Sequence, residues 1–149
     1  MGRPDIFTIR KAEQSDAQQL AALSEQLGYP AATQQIEVRL AAILDSEIQK
    51  VFVASLSDGT VIGWIDVFIA LRLESDPFAE IGGFVVDEKY RWSGAGRALL
   101  TAAENWARDH GIHKLRIRSR MGRTDSHSVF EHLGFAKTKE QFVFDKPLK

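Results

Sequence analysis

Two glycines one residue apart, Gly94 and Gly96, sit where an apolar run gives way to a helical pattern. The run is Ile81 to Val86, which reads as a strand. The helical pattern continues to about His110. Glycine lets a backbone approach a ligand closely. The free N–H groups of a helix start, with the helix dipole, favour an anion. Arg91 and Arg97 flank the glycines and can add charge-assisted hydrogen bonds. A strand-to-helix junction so built is suited to a pyrophosphate. It is neither a dinucleotide-binding G-x-G-x-x-G, because position 99 is Leu, nor a Walker loop, because no Gly-Lys-Ser/Thr is present.

The remaining pattern, Arg91-x-x-Gly94-x-Gly96-Arg97-Ala98, resembles the coenzyme A signature of the GNAT superfamily of acyl-CoA N-acyltransferases, Q/R-x-x-G-x-G/A. A second stretch, Ser119 to Phe135, is similar to a subgroup pattern of that family, S-x-x-x-R-x-x-A-H-x-F-Y-E-x-x-G-F. Two motifs in the right order are more specific than either alone. The general acetyltransferase subgroup they suggest is distantly similar to aminoglycoside 6'-N-acetyltransferases.

Composition narrows the alternatives. With 149 residues, 44% of them hydrophobic, the chain suits one domain spanning 1–149. A formal net charge of −1 argues against nucleic acid as a partner. There is no cysteine, which removes disulfides, thiolate metal sites and a cysteine nucleophile, and fits a cytoplasmic location. The four histidines show no metal-ligand spacing. No apolar run approaches a membrane span, so no membrane partner is expected.

Periodicity yields the order β-α-α-β-β-β-α-β-α-β-β. Residues 7–10 alternate as a first strand. Ser15 and Gln18 form a capping-box pattern ahead of a helix with Leu20, Leu23 and Leu27 on its stripe. Thr33 heads a second helix with Ile36, Leu40 and Ile43 inward. Asp58-Gly59 marks a hairpin turn between strands 51–55 and 61–71. Helix 94–110 carries Leu99, Leu100, Ala103, Trp106 and Ala107 on one face. Strand 114–118, helix 126–133 and a final strand pair from Phe135 to about Phe144 complete the chain. This is an α+β chain with a mixed sheet. The resemblance implies the GNAT fold: a mostly antiparallel sheet of six to seven strands, split into a V and flanked by about four helices.

The same resemblance implies acetyl-CoA as cofactor and an N-acetyltransferase acting on a primary amine of a small molecule or peptide, with a homodimer as a common family state. It assigns the cofactor to Phe84, Val85 and Val86 of the fourth strand, to the loop Arg91, Trp92, Ser93, Gly94, Ala95, Gly96, Arg97 and Ala98, and to Ser126 and Phe130 of the last helix. Many family members carry Tyr where Phe130 stands, as the acid that protonates the departing thiolate. Phe cannot donate a proton, so an acyl-CoA sensor without catalysis is the alternative reading. His127 matches the subgroup's histidine and can shuttle a proton; it can equally make a structural hydrogen bond.

An amine of ordinary basicity is protonated near neutral pH, so transfer needs a base. Glu80 begins the fourth strand two residues before Gly82 and is the candidate base; a solvated strand-end charge is the other reading. Aminoglycoside-acetylating relatives place a carboxylate where this chain has Gly82. The Gly82-Gly83 pair costs strand stability and marks a bulge opening the acyl site, or a strand packed under a large ring such as Trp64. Asp66 lies among Trp64, Ile65, Val67 and Phe68. It either lines the acceptor pocket with a raised pKa or faces water. Tyr29, after the first helix, is a second candidate for the acceptor.

Overall fold

The computed structural model describes residues 6–122 and 124–149, the side chains of residues 124 and 125 excepted. The chain divides into two compact units, 1–117 and 118–149.

The first unit is built on one five-stranded sheet in the order β1-β2-β3-β4-β5. Its strands are β1 (Phe7–Lys11), β2 (Gln49–Leu56), β3 (Val61–Ala70), β4 (Phe78–Val86) and β5 (Leu115–Ile117). β1 to β4 form an antiparallel meander, and β5 joins β4 in parallel after the crossover helix. The β2–β3 hairpin turns at Asp58-Gly59, as the sequence indicates. Gly59 has φ +92°, and the Asp58 carboxylate accepts from the Thr60 N–H at 2.9 Å.

Helices α1 (Ala17–Gln26) and α2 (Thr33–Leu44) cover one face of the sheet, and α3 (Ala95–Asp109) packs on the other. On the first face Leu20, Leu23 and Leu40 meet Val51, Val53, Val61 and Val85, with Trp64 packed against the cluster. On the second face the predicted stripe of α3, Leu99, Leu100, Ala103, Trp106 and Ala107, is buried, and Ala95 extends it toward the helix start.

The entrance to α1 differs from the Ser15–Gln18 box. A 3-10 turn at Gln14–Asp16 precedes the helix, and the Asp16 carboxylate accepts from the Glu13 N–H at 2.7 Å. The same carboxylate takes a bidentate pair from Arg10, at 2.8 and 2.9 Å. Asp16 is buried, so this charge is stabilised by three donors where a Ser hydroxyl would supply only a local cap.

The second unit holds α4 (Thr124–His132), which begins two residues before the expected 126–133. Among the described residues the sheet has five strands, not six to seven, and 135–149 contains no strand. The short apolar run there, Phe142, Val143 and Phe144, is wholly exposed. A strand needs a neighbour to accept its ladder, and an apolar run alone does not provide one.

Candidate active site

β4 is where the two expected halves of a transfer site meet. Its pairing with β3 slips between Asp66 and Val67: Asp66 stands opposite Gly83, Val67 opposite Ile81, and Gly82 is the extra residue. The expected bulge is therefore present. The expected ring is present too. A Cβ on Gly83 would lie 2.5 Å from the Trp64 ring, and one on Gly82 would lie 2.6 Å from Asp66 Oδ2. Both glycines are closely approached by β3 side chains, so the pair forms a bulge and also lies under the Trp64 ring.

Beyond the bulge β4 loses its other neighbour. β5 pairs only Ala79, Glu80 and Ile81. From Gly82 to Val86 that side of β4 has no registered partner among the described residues, which is the opening of the V. Phe84, Val85 and Val86 lie along it, and the chain continues into a 3-10 turn (Glu88–Ser93) and α3.

The turn-to-helix junction has the geometry of an anion cradle. Gly94 has φ +86°, a left-handed conformation that a side chain would strain. A Cβ there would meet nothing within 4 Å, so the surface above it is open. Ser93 Oγ accepts from the Ala95 N–H at 3.2 Å and donates to the Tyr90 carbonyl. Gly94 O accepts from the Ala98 N–H at 3.1 Å. The amides of Gly96 and Arg97 between them are first-turn N–H groups, which an α-helix cannot satisfy internally. A Cβ on Gly96 would make ordinary contact with Val86 and Phe84, 3.6 and 3.8 Å away. Packing alone thus tolerates alanine at 96, as the G-x-G/A pattern allows, whereas position 94 demands glycine. Arg91 and Arg97 are exposed beside this loop, and the exposed Trp92 donates from its indole Nε1 to the Lys89 carbonyl at 2.9 Å. These groups fit a pyrophosphate: open amides, a helix start and two exposed cations.

Beside the bulge lies a cavity of about 360 Å³, walled by α1, α2, β2, β3 and β4. Leu20, Leu27, Ile36, Leu40, Ile43 and Trp64 supply most of its wall. Ile36 and Ile43, read from periodicity as core, are only partly buried because they face this space. Tyr29 and Asp66, the two candidates for the acceptor, both line it, together with Arg39, Ser24, Val51 and the glycine pair.

Asp66 is half-buried, and one oxygen accepts from Gln49 Nε2 at 3.0 Å. Desolvation raises its pKa above the usual carboxylate range, and the Gln49 hydrogen bond offsets part of that rise. Glu80 stands lower on β4, opposite Phe68 and Arg116 in the ladder, and is not in the cavity wall. Trp64 Nε1 is buried with no hydrogen-bond partner.

In the second unit, a His127 ring nitrogen lies 3.0 Å from the Arg120 carbonyl oxygen, the structural bond anticipated as an alternative for this residue. Phe130 packs edge-on against Phe135, centroids 6.1 Å apart, and Ser126 is half-buried one residue before His127. Among the described residues no group of three or more His, Asp or Glu could hold a metal, and no helix is long and apolar enough to cross a membrane.

Comparison with known proteins agrees with this geometry. The pattern of the acetyltransferase (GNAT) family matches residues 14–135. An aminoglycoside N(6')-acetyltransferase type 1 of Stenotrophomonas maltophilia is 33% identical over 146 residues, covering 95% of this chain and 94% of that protein. A protein of the same description from Klebsiella aerogenes is 28% identical, covering 94% and 96%. The crystal structure of an aminoglycoside 6'-N-acetyltransferase from Acinetobacter baumannii superposes with a TM-score of 0.86 at 20% identity, covering 96% of this chain and 99% of that one. The chain belongs to the GNAT family and is an acetyl-CoA-dependent N-acetyltransferase.

Proposed function

We propose that the chain acetylates a primary amine that enters through the α1–α2 cavity and meets the acetyl donor at the β4 bulge. The observation that carries this reading is the position of the bulge. Gly82 and Gly83 line the cavity, and the unpaired stretch of β4 begins at the same two residues. The bulge therefore borders both the cavity and the opening of β4, and no side chain at 82 or 83 stands between an amine in the one and a thioester in the other.

Acetyl-CoA supplies the activated acetyl group as a thioester. The residues assigned to hold it are the amides and cations of 91–98, the β4 backbone at Phe84, Val85 and Val86, and, by motif, Ser126 and Phe130. Backbone N–H groups on that strand are fixed dipoles, able to stabilise negative charge developing on a carbonyl oxygen without reorganisation. His127 is the assigned proton carrier for the departing sulfur, with Phe130 in the family's tyrosine place. Two carboxylates on this region of β3 and β4, Glu80 and Asp66, are the candidate proton acceptors.

Thiol release from acetyl-CoA with a panel of primary amines tests the reading. The panel includes an aminoglycoside, the substrate class named for the relatives above. Amine-dependent release above the hydrolytic background is expected. Release that no amine accelerates, from protein that binds coenzyme A, would refute it.

A further inference from the structure

The cavity wall carries its charges sparingly. Of the described residues lining it, Asp66 is the only carboxylate and Arg39 the only cation; the rest of the wall is largely Leu, Ile and Trp. A polycation entering such a space would bring several ammonium groups to one anion, and the others would meet apolar wall or a guanidinium. Unpaired charges are not buried there at tolerable cost. A molecule with one ammonium and an apolar body satisfies both features of the wall.

Asp66 is also placed for chemistry. Its Oδ1 is engaged by Gln49, which fixes the carboxylate plane. Its Oδ2 sits at the bulge, 2.6 Å from where a side chain on Gly82 would begin. The carboxylate of β3 thus fills the space that a β4 side chain at position 82 would otherwise occupy, next to the unpaired stretch of β4. Glu80, the carboxylate favoured by the sequence, stands in the part of the strand still closed by β5.

Building on the reading above, we propose that the cavity is the binding site for a monoamine with an apolar body, whose ammonium is held and deprotonated by Asp66. One proton passes from the ammonium to Asp66 Oδ2 and frees the nitrogen lone pair. The C–N bond then replaces the C–S bond of the acetyl thioester, and the second nitrogen proton leaves with the sulfur as thiol. Burial suits Asp66 to this task, because a carboxylate of raised pKa is a better proton acceptor than an exposed one.

The test measures kcat/KM for 2-phenylethylamine and n-hexylamine against neamine and spermidine, in the natural protein and in Asp66→Asn. The monoamines should be preferred by at least about tenfold, the effect of placing even one charge badly. Asp66→Asn keeps the shape and a partner for Gln49. It should lower kcat/KM for the monoamines by roughly 10²-fold or more, the usual contribution of a general base, and leave coenzyme A affinity by calorimetry unchanged. The acid limb of the natural pH profile should disappear in the variant. A relocated carboxylate, Asp66→Ala with Gly82→Asp, should recover part of the loss, because the two positions share one space. Preference for the polycations, or amine acetylation indifferent to Asp66→Asn, overturns the proposal while leaving the acetyltransferase reading intact. Absence of acetylation of every amine by the natural protein instead overturns that reading.

Discussion

Gly83→Ala gives the most direct test of how β4 is built. The new Cβ would fall 2.5 and 2.7 Å from two carbons of the Trp64 ring. Carbon atoms rest at about 3.5–4.0 Å, so the ring must retreat by roughly an ångström. Forcing a methyl into a packed interior costs about 1–3 kcal/mol. Here the ring has somewhere to go, since Trp64 borders the cavity. The lower half of that range, about 1–2 kcal/mol, is therefore expected. For a chain of this size that corresponds to a fall in Tm of about 2–8 °C. The displaced ring would then occupy acceptor space. KM for the amine should rise severalfold, with KM for acetyl-CoA nearly unchanged. Trp64→Phe removes the outer ring carbons that collide. The double variant should recover most of the stability lost in Gly83→Ala alone, giving a coupling of about 1 kcal/mol in a double-mutant cycle. Urea unfolding and steady-state kinetics read both effects. If Gly83→Ala unfolds like the natural protein with an unchanged amine KM, Trp64 does not lie over β4 as described.

Three further outcomes follow from the same coordinates. Gly94→Ala places a side chain at φ +86° at a cost of about 1–2 kcal/mol, so helix start and loop should relax and coenzyme A affinity by calorimetry should fall. Asp16→Asn removes the charge that Arg10 and the Glu13 N–H hold. Because the Arg10 hydrogen bonds depress the folded pKa of Asp16, its stabilisation exists above the unfolded value of about 3.9 and is lost as pH falls through the folded one, so the natural protein should lose stability in acid more steeply than the variant. Asp66 has the opposite sign: its raised folded pKa means that stability is lost as pH rises through it, so Asp66→Asn should melt higher than the natural protein at neutral pH and not in acid.

The glycine loop was legible in the sequence because it is local. Gly94, Gly96 and the arginines lie within one turn of chain, and their spacing alone states a strand, a tight junction and a helix start. The acceptor half is not local. Asp66 was visible as a charge in an apolar strand, but its surroundings depend on the β3–β4 register, and a one-residue slip exchanges the faces of a strand. Ile36 and Ile43 have the period of core residues whether a helix packs tightly or stands off a cavity. The end of the chain shows the limit from another side. The apolar run 142–144 reads as a strand, yet a strand is defined by its neighbour, and composition carries no information about whether one is at hand.

The bulge explains why Glu80 looked the better base in the sequence and why Asp66 is the carboxylate beside the glycine pair. On a regular strand, Glu80 and Gly82 would share a face and a simple two-residue offset would carry the Glu carboxylate toward the site. The inserted residue breaks that arithmetic: Gly83, not Gly82, stands opposite Asp66. Both glycine Cα atoms then present hydrogen toward the β3 side, one beneath Trp64 and one beneath the Asp66 carboxylate. Glycine at 82 and aspartate at 66 are thus one feature divided between two strands. A side chain at 82 would expel the carboxylate, and without the carboxylate the glycine would leave a void. The two positions should therefore change together or not at all in any variant that retains activity toward the same amine.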